Sequence, residues 1–373
     1  MGPTGTLQVV RRVITAPTVG PFIALVVTMA FFSLKTDRFF HAENFSLVLQ
    51  QVMIVGVLAI GQTLVILTAG IDLSVGTVMA LGQVIMTKLA VANGVPALPA
   101  LLLGILVCVG FGVLHGGLVT GVRLPPFIIT LGTLNIAFAL THIISNDLTF
   151  TGLPKLELFW GRTFNISVTD FTYGVVLMLV LYALAWYGLN QTAWGRHVYA
   201  TGDNREAARL TGINTDRVLL SVYTLAGLSY GIAAWLLIGR TQVGDPNAGQ
   251  TTENLDSITA VVLGGTSLFG GRGTIIGTLI GALIVGVFRN GLTLIGVSVI
   301  YQYLVTGVLV ILAVSVDQFL HRRSGCILPN RFSKRVGSSR STARSSRSTA
   351  PTSSSIPERS WPSSATTARG NPR

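Results

Sequence analysis

Charge is what this chain lacks. Its 373 residues include 26 Lys or Arg and 14 Asp or Glu, together 11%, against about a quarter in an ordinary soluble domain. Cysteine is scarce as well. Cys108 sits in an apolar run and Cys326 near the C-terminus, so neither a disulfide nor redox chemistry is indicated. No G-x-x-x-x-G-K-[ST] occurs, which leaves the chain without the usual phosphate loop. His115, His142 and His197 do not stand at metal-ligand spacing, and no nucleophile–base constellation is visible. No catalytic residue, metal site or bound cofactor is therefore expected. The long apolar segments lack period-2 alternation, which excludes a membrane β-barrel.

What is there instead is uncharged sequence. Length alone would suit two or three soluble domains, but the mean hydropathy is +0.65. Seven runs carry no Asp, Glu, Lys or Arg: Val13–Leu34, Asn44–Ile71, Leu89–Val122, Leu124–Asn146, Phe171–Gly195, Val218–Gly239 and Asn290–Val316. Each reaches the roughly 20 residues that cross a bilayer as a helix. Leu73–Thr87, Ser257–Gly271 and Gly273–Phe288 are shorter and read as further segments at membrane depth. The expectation is an all-α polytopic membrane protein of about ten spans, because only helices or closed barrels satisfy the backbone in lipid. The first six helices are expected near Val19–Leu34, Ser46–Ala69, Ser74–Ala92, Pro99–Val122, Phe127–Ser145 and Phe171–Leu189. Val13–Leu34 follows Arg11 and Arg12, is longer than a signal-peptide core and reads as a retained first span.

The net charge of +12 is local. From His321 onward there are eleven Lys or Arg and one acid, Glu358. This Ser/Arg-rich stretch, 321–373, reads as a disordered basic tail, and residues 1–320 as one transmembrane domain. A basic tail beside a bilayer suits anionic lipid, but the preferred reading is a non-functional, even spurious, extension; no nucleic-acid partner is expected. Arg11 and Arg12 place the N-terminus in the cytoplasm by the positive-inside rule. After six spans, segment 190–217 then falls in the cytoplasm, with Arg196, Arg205, Arg209 and Arg217. HGGLVTGVRLPPF (115–127) echoes IGALIVGVFRNGL (280–292) with a shift of 165 residues. That shift maps five spans onto five with inverted orientation, a transporter architecture.

The charged segment has its own logic. Asp203 reads as a helix cap, with Glu206 three residues on reaching back as in a capping box. Gly212 reads as a left-handed stop. Gly195 and Gly202 allow sharp turns ahead of a two-turn helix over Asn204–Thr211, with Ala207 and Ala208 as its small-residue face. A helix this short is useful only when docked. The bland alternative is a solvated loop.

EAARLTG (206–212) resembles the E-A-A-x-x-x-G motif of ABC importer permeases, a short cytoplasmic coupling helix seated in a cleft of the ATPase subunit. GRHVYATGDNREAARLTGI (195–213), GQTLVILTAGIDLSVGTVMAL (61–81), LPPFIITLGTL (124–134) and the stretch from Ser257 to Leu292 are similar to permeases of the ribose, xylose and fructose type. The resemblance covers about Val13 to Leu320. It lacks the I-x-L-P ending of the broader motif, and the tail after about Gln318 has no counterpart in that family. It implies a monosaccharide permease in a bacterial cytoplasmic membrane. The implied partners are a cytoplasmic ATPase that binds ATP and Mg, an extracytoplasmic sugar-binding protein and a second permease copy. It also implies that Gly195, Arg196, Gly202, Asp203, Asn204, Glu206, Ala207, Ala208 and Gly212 serve ATPase coupling. LLIGRTQVGDPNAGQ (236–250) looks most like the fructose-type branch.

Four polar residues at membrane depth are pathway candidates. Asp72 either caps the next helix or lines a polar path, and an intramembrane acid is a functional suspect. Thr130, Thr133 and Asn135 suit sugar hydroxyls and suit interhelical hydrogen bonds equally. Gly265–Gly273 reads as a tight turn. An ion-coupled secondary transporter or channel, with Asp72 as its coupling residue, and a non-transporting membrane scaffold are the other readings.

Overall fold

The computed structural model describes residues 18–308 except 167–168 and 249–251, together with residues 311 and 315. The basic tail and the Arg11–Arg12 pair lie outside the described residues. Twelve α-helices are described. They are α1 (Val19–Lys35), α2 (Ala42–Leu67), α3 (Val75–Val91), α4 (Ala97–Gly117), α5 (Pro126–Ser145), α6 (Tyr173–Gln191), α7 (Ala193–Asp203), α8 (Arg205–Leu210), α9 (Thr215–Thr241), α10 (Thr252–Leu263), α11 (Ile275–Leu294) and α12 (Val299–Val308). Six of them, α2, α4, α5, α6, α9 and α11, are long and apolar enough to cross a bilayer.

Local chemistry sets the boundaries. α4 runs into a single π-turn, Leu118–Val122, and stops at Arg123 in the left-handed region. Pro125 and Pro126 then start α5, where a missing N–H costs nothing. Four helices, α7, α8, α9 and α11, carry side-chain caps: Thr192, Asn204, Asn214 and Thr274 each accept a backbone N–H of the first turn.

The all-helical expectation holds but for one short hairpin, and one uncharged run is corrected. Residues Thr163–Ile166 (β1) and Thr169–Thr172 (β2) pair antiparallel, with Phe164 opposite Phe171 and their rings stacked at 6.2 Å. Cross-strand aromatic pairs of this kind hold short hairpins. The uncharged run Asn290–Val316 is not one helix. Gly296 adopts φ +80, its N–H bonds Thr293 O and that of Val297 bonds Leu292 O, which closes α11 before α12 begins. Gly265–Gly273 is a turn, as expected, with four glycines at positive φ.

α2, α9 and α11 are mostly buried, whereas α4, α5 and α6 bury little more than a quarter of their apolar windows. Leu106, Ile143 and Leu184 point outward and are well exposed. Helices apolar all round, with large outward aliphatics, are built for lipid. Inside, small residues let backbones close up: a methyl added to Gly112 would lie 2.3 Å from Tyr223 O, and one on Gly227 2.5 Å from Cys108 O, so α4 and α9 touch backbone to backbone. Hydroxyls tie other helices to α2. Tyr182 of α6 donates to Gly56 O at 3.0 Å, and Thr63 meets Thr278 of α11 at 2.8 Å.

Candidate functional site

Two polar constructions occupy the same end of the bundle. The first surrounds Asp72, fully buried in the turn between α2 and α3. Its Oδ1 accepts from Ser74 N at 2.8 Å and Ser74 Oγ at 2.7 Å. Its Oδ2 accepts from Tyr230 OH of α9 at 3.0 Å and faces His115 Nδ1 of α4 at 3.6 Å. The far nitrogen of His115 meets Thr133 Oγ1 of α5 at 2.7 Å. Thr130 donates to Ile71 O at 3.1 Å, pinning α5 to the same turn. A buried carboxylate is tolerable when its lone pairs are filled in this way.

Asp72, Thr130 and Thr133 are thus brought together, and Asn135 is not. Asn135 is exposed on another face of α5 and bonds its own helix at Leu131 O. Ser74, not Asp72, is the residue at the cap of α3; Asp72 organises the turn before it. His115 and Tyr230 escaped the sequence reading because they lie 43 and 158 residues from Asp72, and only the α4–α9 packing brings them in. The acid–imidazole–hydroxyl order does not make a nucleophile. Thr133 Oγ1 lies within bonding distance of Ile129 O and Thr130 O, inside its own helix, and is almost wholly buried.

The second construction is α7–α8. Gly195 and Gly202 do not make turns, as expected from sequence; both lie inside helix α7 and are buried. They are contact points. A methyl on Gly195 would lie 2.1 Å from Leu189 O, and one on Gly202 1.8 Å from Leu67 O. Leu67 O, at the end of α2, also accepts Gly271 N at 2.9 Å. Tyr199 of α7 donates to Gly273 O at 3.0 Å. The ends of α2 and α7 and the 265–273 turn therefore form one joint.

The cap of α8 is also corrected. Helical geometry persists through Asp203, and Asn204 is the extended residue that follows. Asn204 Oδ1 accepts Ala207 N at 2.9 Å. With the cap moved by one residue, Glu206 stands at the second helical position, one short of a capping box. Its carboxylate still sits in the first turn, where the helix dipole favours an anion. The C-terminal expectation holds. Gly212 has φ +89, its N–H bonds Arg209 O, and Ile213 N bonds Ala208 O, a Schellman closure. Ala207 and Ala208 do not share a face: Ala208 is buried and Ala207 exposed. The outward face is Glu206, Ala207 and Leu210, and Leu210 is 90% exposed. Arg196 is exposed on α7. Arg205 bridges to Asp216 at the start of α9 at 2.9 Å.

Between the two constructions lies a cavity of about 370 Å³ bordered by Thr68, Arg123, Asn204, Arg205 and Tyr223. Among the described residues no group of three or more His, Cys, Asp or Glu is arranged to hold a metal ion.

Comparison with known proteins agrees with a multi-pass membrane bundle. Residues 44–314 match the family described as "Branched-chain amino acid transport system / permease component". The chain is 48% identical over 314 residues to the fructose import permease protein of Rhizobium meliloti, covering 83% of this chain and 87% of that one. It is 39% identical over 301 residues to the ribose import permease protein of Bacillus subtilis, covering 80% and 92%. It is 35% identical over 354 residues to the xylose transport system permease protein of Haemophilus influenzae, covering 79% and 94%. No solved structure matches. The chain therefore belongs to this permease family, a multi-pass membrane protein of the sugar-importing kind its relatives represent, whose work is transport and not catalysis.

Proposed function

We propose that this permease is the membrane subunit of an ATP-binding cassette importer that passes a monosaccharide, fructose ahead of ribose or xylose, into the bacterial cytoplasm. The observation that carries the reading is α8. A six-residue helix, capped at both ends and following the α7 that is jointed to α2, holds Leu210 exposed beside Glu206 and Ala207. A bare leucine on a rigid stub is suited to a groove on a partner. In this reading the partner is a cytoplasmic ATPase carrying the ATP and Mg, and α7–α8 and the N-terminus are cytoplasmic. A soluble sugar-binding protein delivers substrate to the opposite side, and a second copy of the chain completes the pore.

Ten helices, α1–α6 and α9–α12, are the spans, in two inverted halves. The second helices of the halves, α2 and α9, support this: they have 26 and 27 residues, both are mostly buried, and each is followed by a non-helical break. Ion coupling through Asp72 finds no support, because all its neighbours already use it.

The test is reconstitution with an ABC ATPase and a soluble sugar-binding protein of the same organism, following labelled fructose, ribose and xylose. ATP-dependent uptake of fructose at the highest rate is expected. Uptake driven by an ion gradient without ATP would overturn the assignment.

A further inference from the structure

At the end of the bundle away from α7 and α8, five helices enclose a cavity of about 290 Å³. α2 contributes Gln51, α9 Arg240, α10 Glu253 and Asp256, α11 Arg289 and α12 Gln302. This is far more polar chemistry than helix packing needs, and far more space than one or two bridging waters fill. Its charges are balanced, two cations against two anions. Arg289 Nη1 donates to Asp256 Oδ2 at 2.6 Å, and Arg240 and Glu253 interact electrostatically. No charge is left over to recruit an ion, so the lining selects against net-charged guests.

Hydrogen-bonding capacity, however, is left over. Gln51 Oε1 and Glu253 Oε2 are buried and have no hydrogen-bond partner among the described residues. Buried acceptors left unmatched are destabilising unless something donates to them. The remaining wall is aliphatic, including Val52, Val55 and Val285. A guest that fits must be small, neutral and rich in O–H donors, with C–H faces to lie against valine.

We propose that this cavity is a binding site for one neutral monosaccharide on its way through the permease, with Gln51 and Glu253 accepting its hydroxyl protons. The identity of the guest rests on the importer reading above; the site itself rests on the cavity. Because its polar groups are buried, an analogue lacking the matching hydroxyl should be rejected more strongly than any aliphatic contact could achieve.

The test uses the complete transporter, with its ATPase, in proteoliposomes. Val299 lines the cavity and is exposed. Val299→Cys is introduced with Cys108→Ala and Cys326→Ser, and its modification by a small methanethiosulfonate reagent is timed with and without fructose. Fructose should slow modification in a saturable manner, and leucine, a zwitterion, should not. Gln51→Leu or Glu253→Gln, in preparations that still retain the ATPase, should raise the fructose concentration for half protection about tenfold per lost hydrogen bond. ATP-dependent fructose uptake without protection would overturn this site and leave the importer reading standing. Equal protection by leucine, or protection untouched by both substitutions, would also overturn it. Absence of both uptake and protection would remove the importer reading, and this inference with it.

Discussion

Asp72 is stable inside the bundle because Ser74, Tyr230 and His115 all face it. Asp72→Asn keeps the acceptor for Ser74 and offers Tyr230 an amide, so it should cost no more than about 1 kcal/mol. Asp72→Leu strands three donors at once and should cost about 3 kcal/mol or more. The thermal unfolding midpoints of the purified variants check this, and equal midpoints would mean the cluster contributes little. The sequence marked Asp72, Thr130 and Thr133 as a set by depth and chemistry alone. It could not distinguish Asn135, since which side of α5 faces the bundle depends on the neighbours α5 packs against. Glycine is legible in number but not in role. Gly202→Ala places a methyl on Leu67 O and should cost about 1–3 kcal/mol or more. Gly110→Ala meets nothing within 4 Å and should be neutral or stabilising by about 0.5–1 kcal/mol, because alanine is the better helix former. The ratio of folded to aggregated protein after detergent extraction separates the two.

At the scale of elements, α8 was readable because its stop is chemical: a left-handed glycine after a short run of helix formers. Its start was misread by one residue, since Asp203 and Asn204 are both good caps and the choice is made by how far α7 continues. The pinning of α7 by Gly195 and Gly202 depends on α2 and α6, which no local pattern reveals. The prediction at this scale separates cap, stop and tip. Asn204→Ala should weaken α8 by about 1 kcal/mol and slow uptake modestly. Gly212→Val forces a β-branched residue to φ +89, and Glu206→Lys places a cation at a helix start. Leu210→Asp leaves the helix intact and changes only the exposed tip. The last three should each abolish co-purification of the ATPase and sugar uptake while the membrane bundle stays folded. Retention of both by Leu210→Asp would mean that the tip is not the docking element.

For the whole molecule, the spans were legible because bilayer solvent imposes length and apolarity directly. The first six helices fall within a few residues of their expected limits. The β-hairpin and the break at Gly296 were not legible, since both are short features inside apolar sequence. Also unmarked in sequence was Glu157, in the segment between α5 and α6. Its carboxyl is buried with neither oxygen hydrogen-bonded among the described residues, and burial pushes it up from 4.5 to about 7. A carboxyl raised by folding holds its proton more tightly in the native state. Stability should then be greatest below about pH 4.5, decline as the pH rises towards 7, and level off above. The unfolding midpoint should therefore be higher at pH 5.5 than at 7.5, and Glu157→Gln should remove that part of the difference. An unchanged profile in the variant would show that Glu157 is solvated. The joint at Leu67 has one more consequence. Gly202 and Gly271 close on its carbonyl without room for a methyl, so the hinge has no slack. α2 is a stiff rod of 26 residues, about 39 Å long, with this hinge at one end and Gln51 about 24 Å along it. If an ATPase docks at the α8 tip and a guest sits at Gln51, as proposed above, motion at the tip is passed to the rod rather than absorbed, and linkage runs both ways. By whatever factor a docked ATPase then alters that guest's affinity, the guest alters the grip of the ATPase, so a filled cavity is felt at the α8 end before anything has crossed.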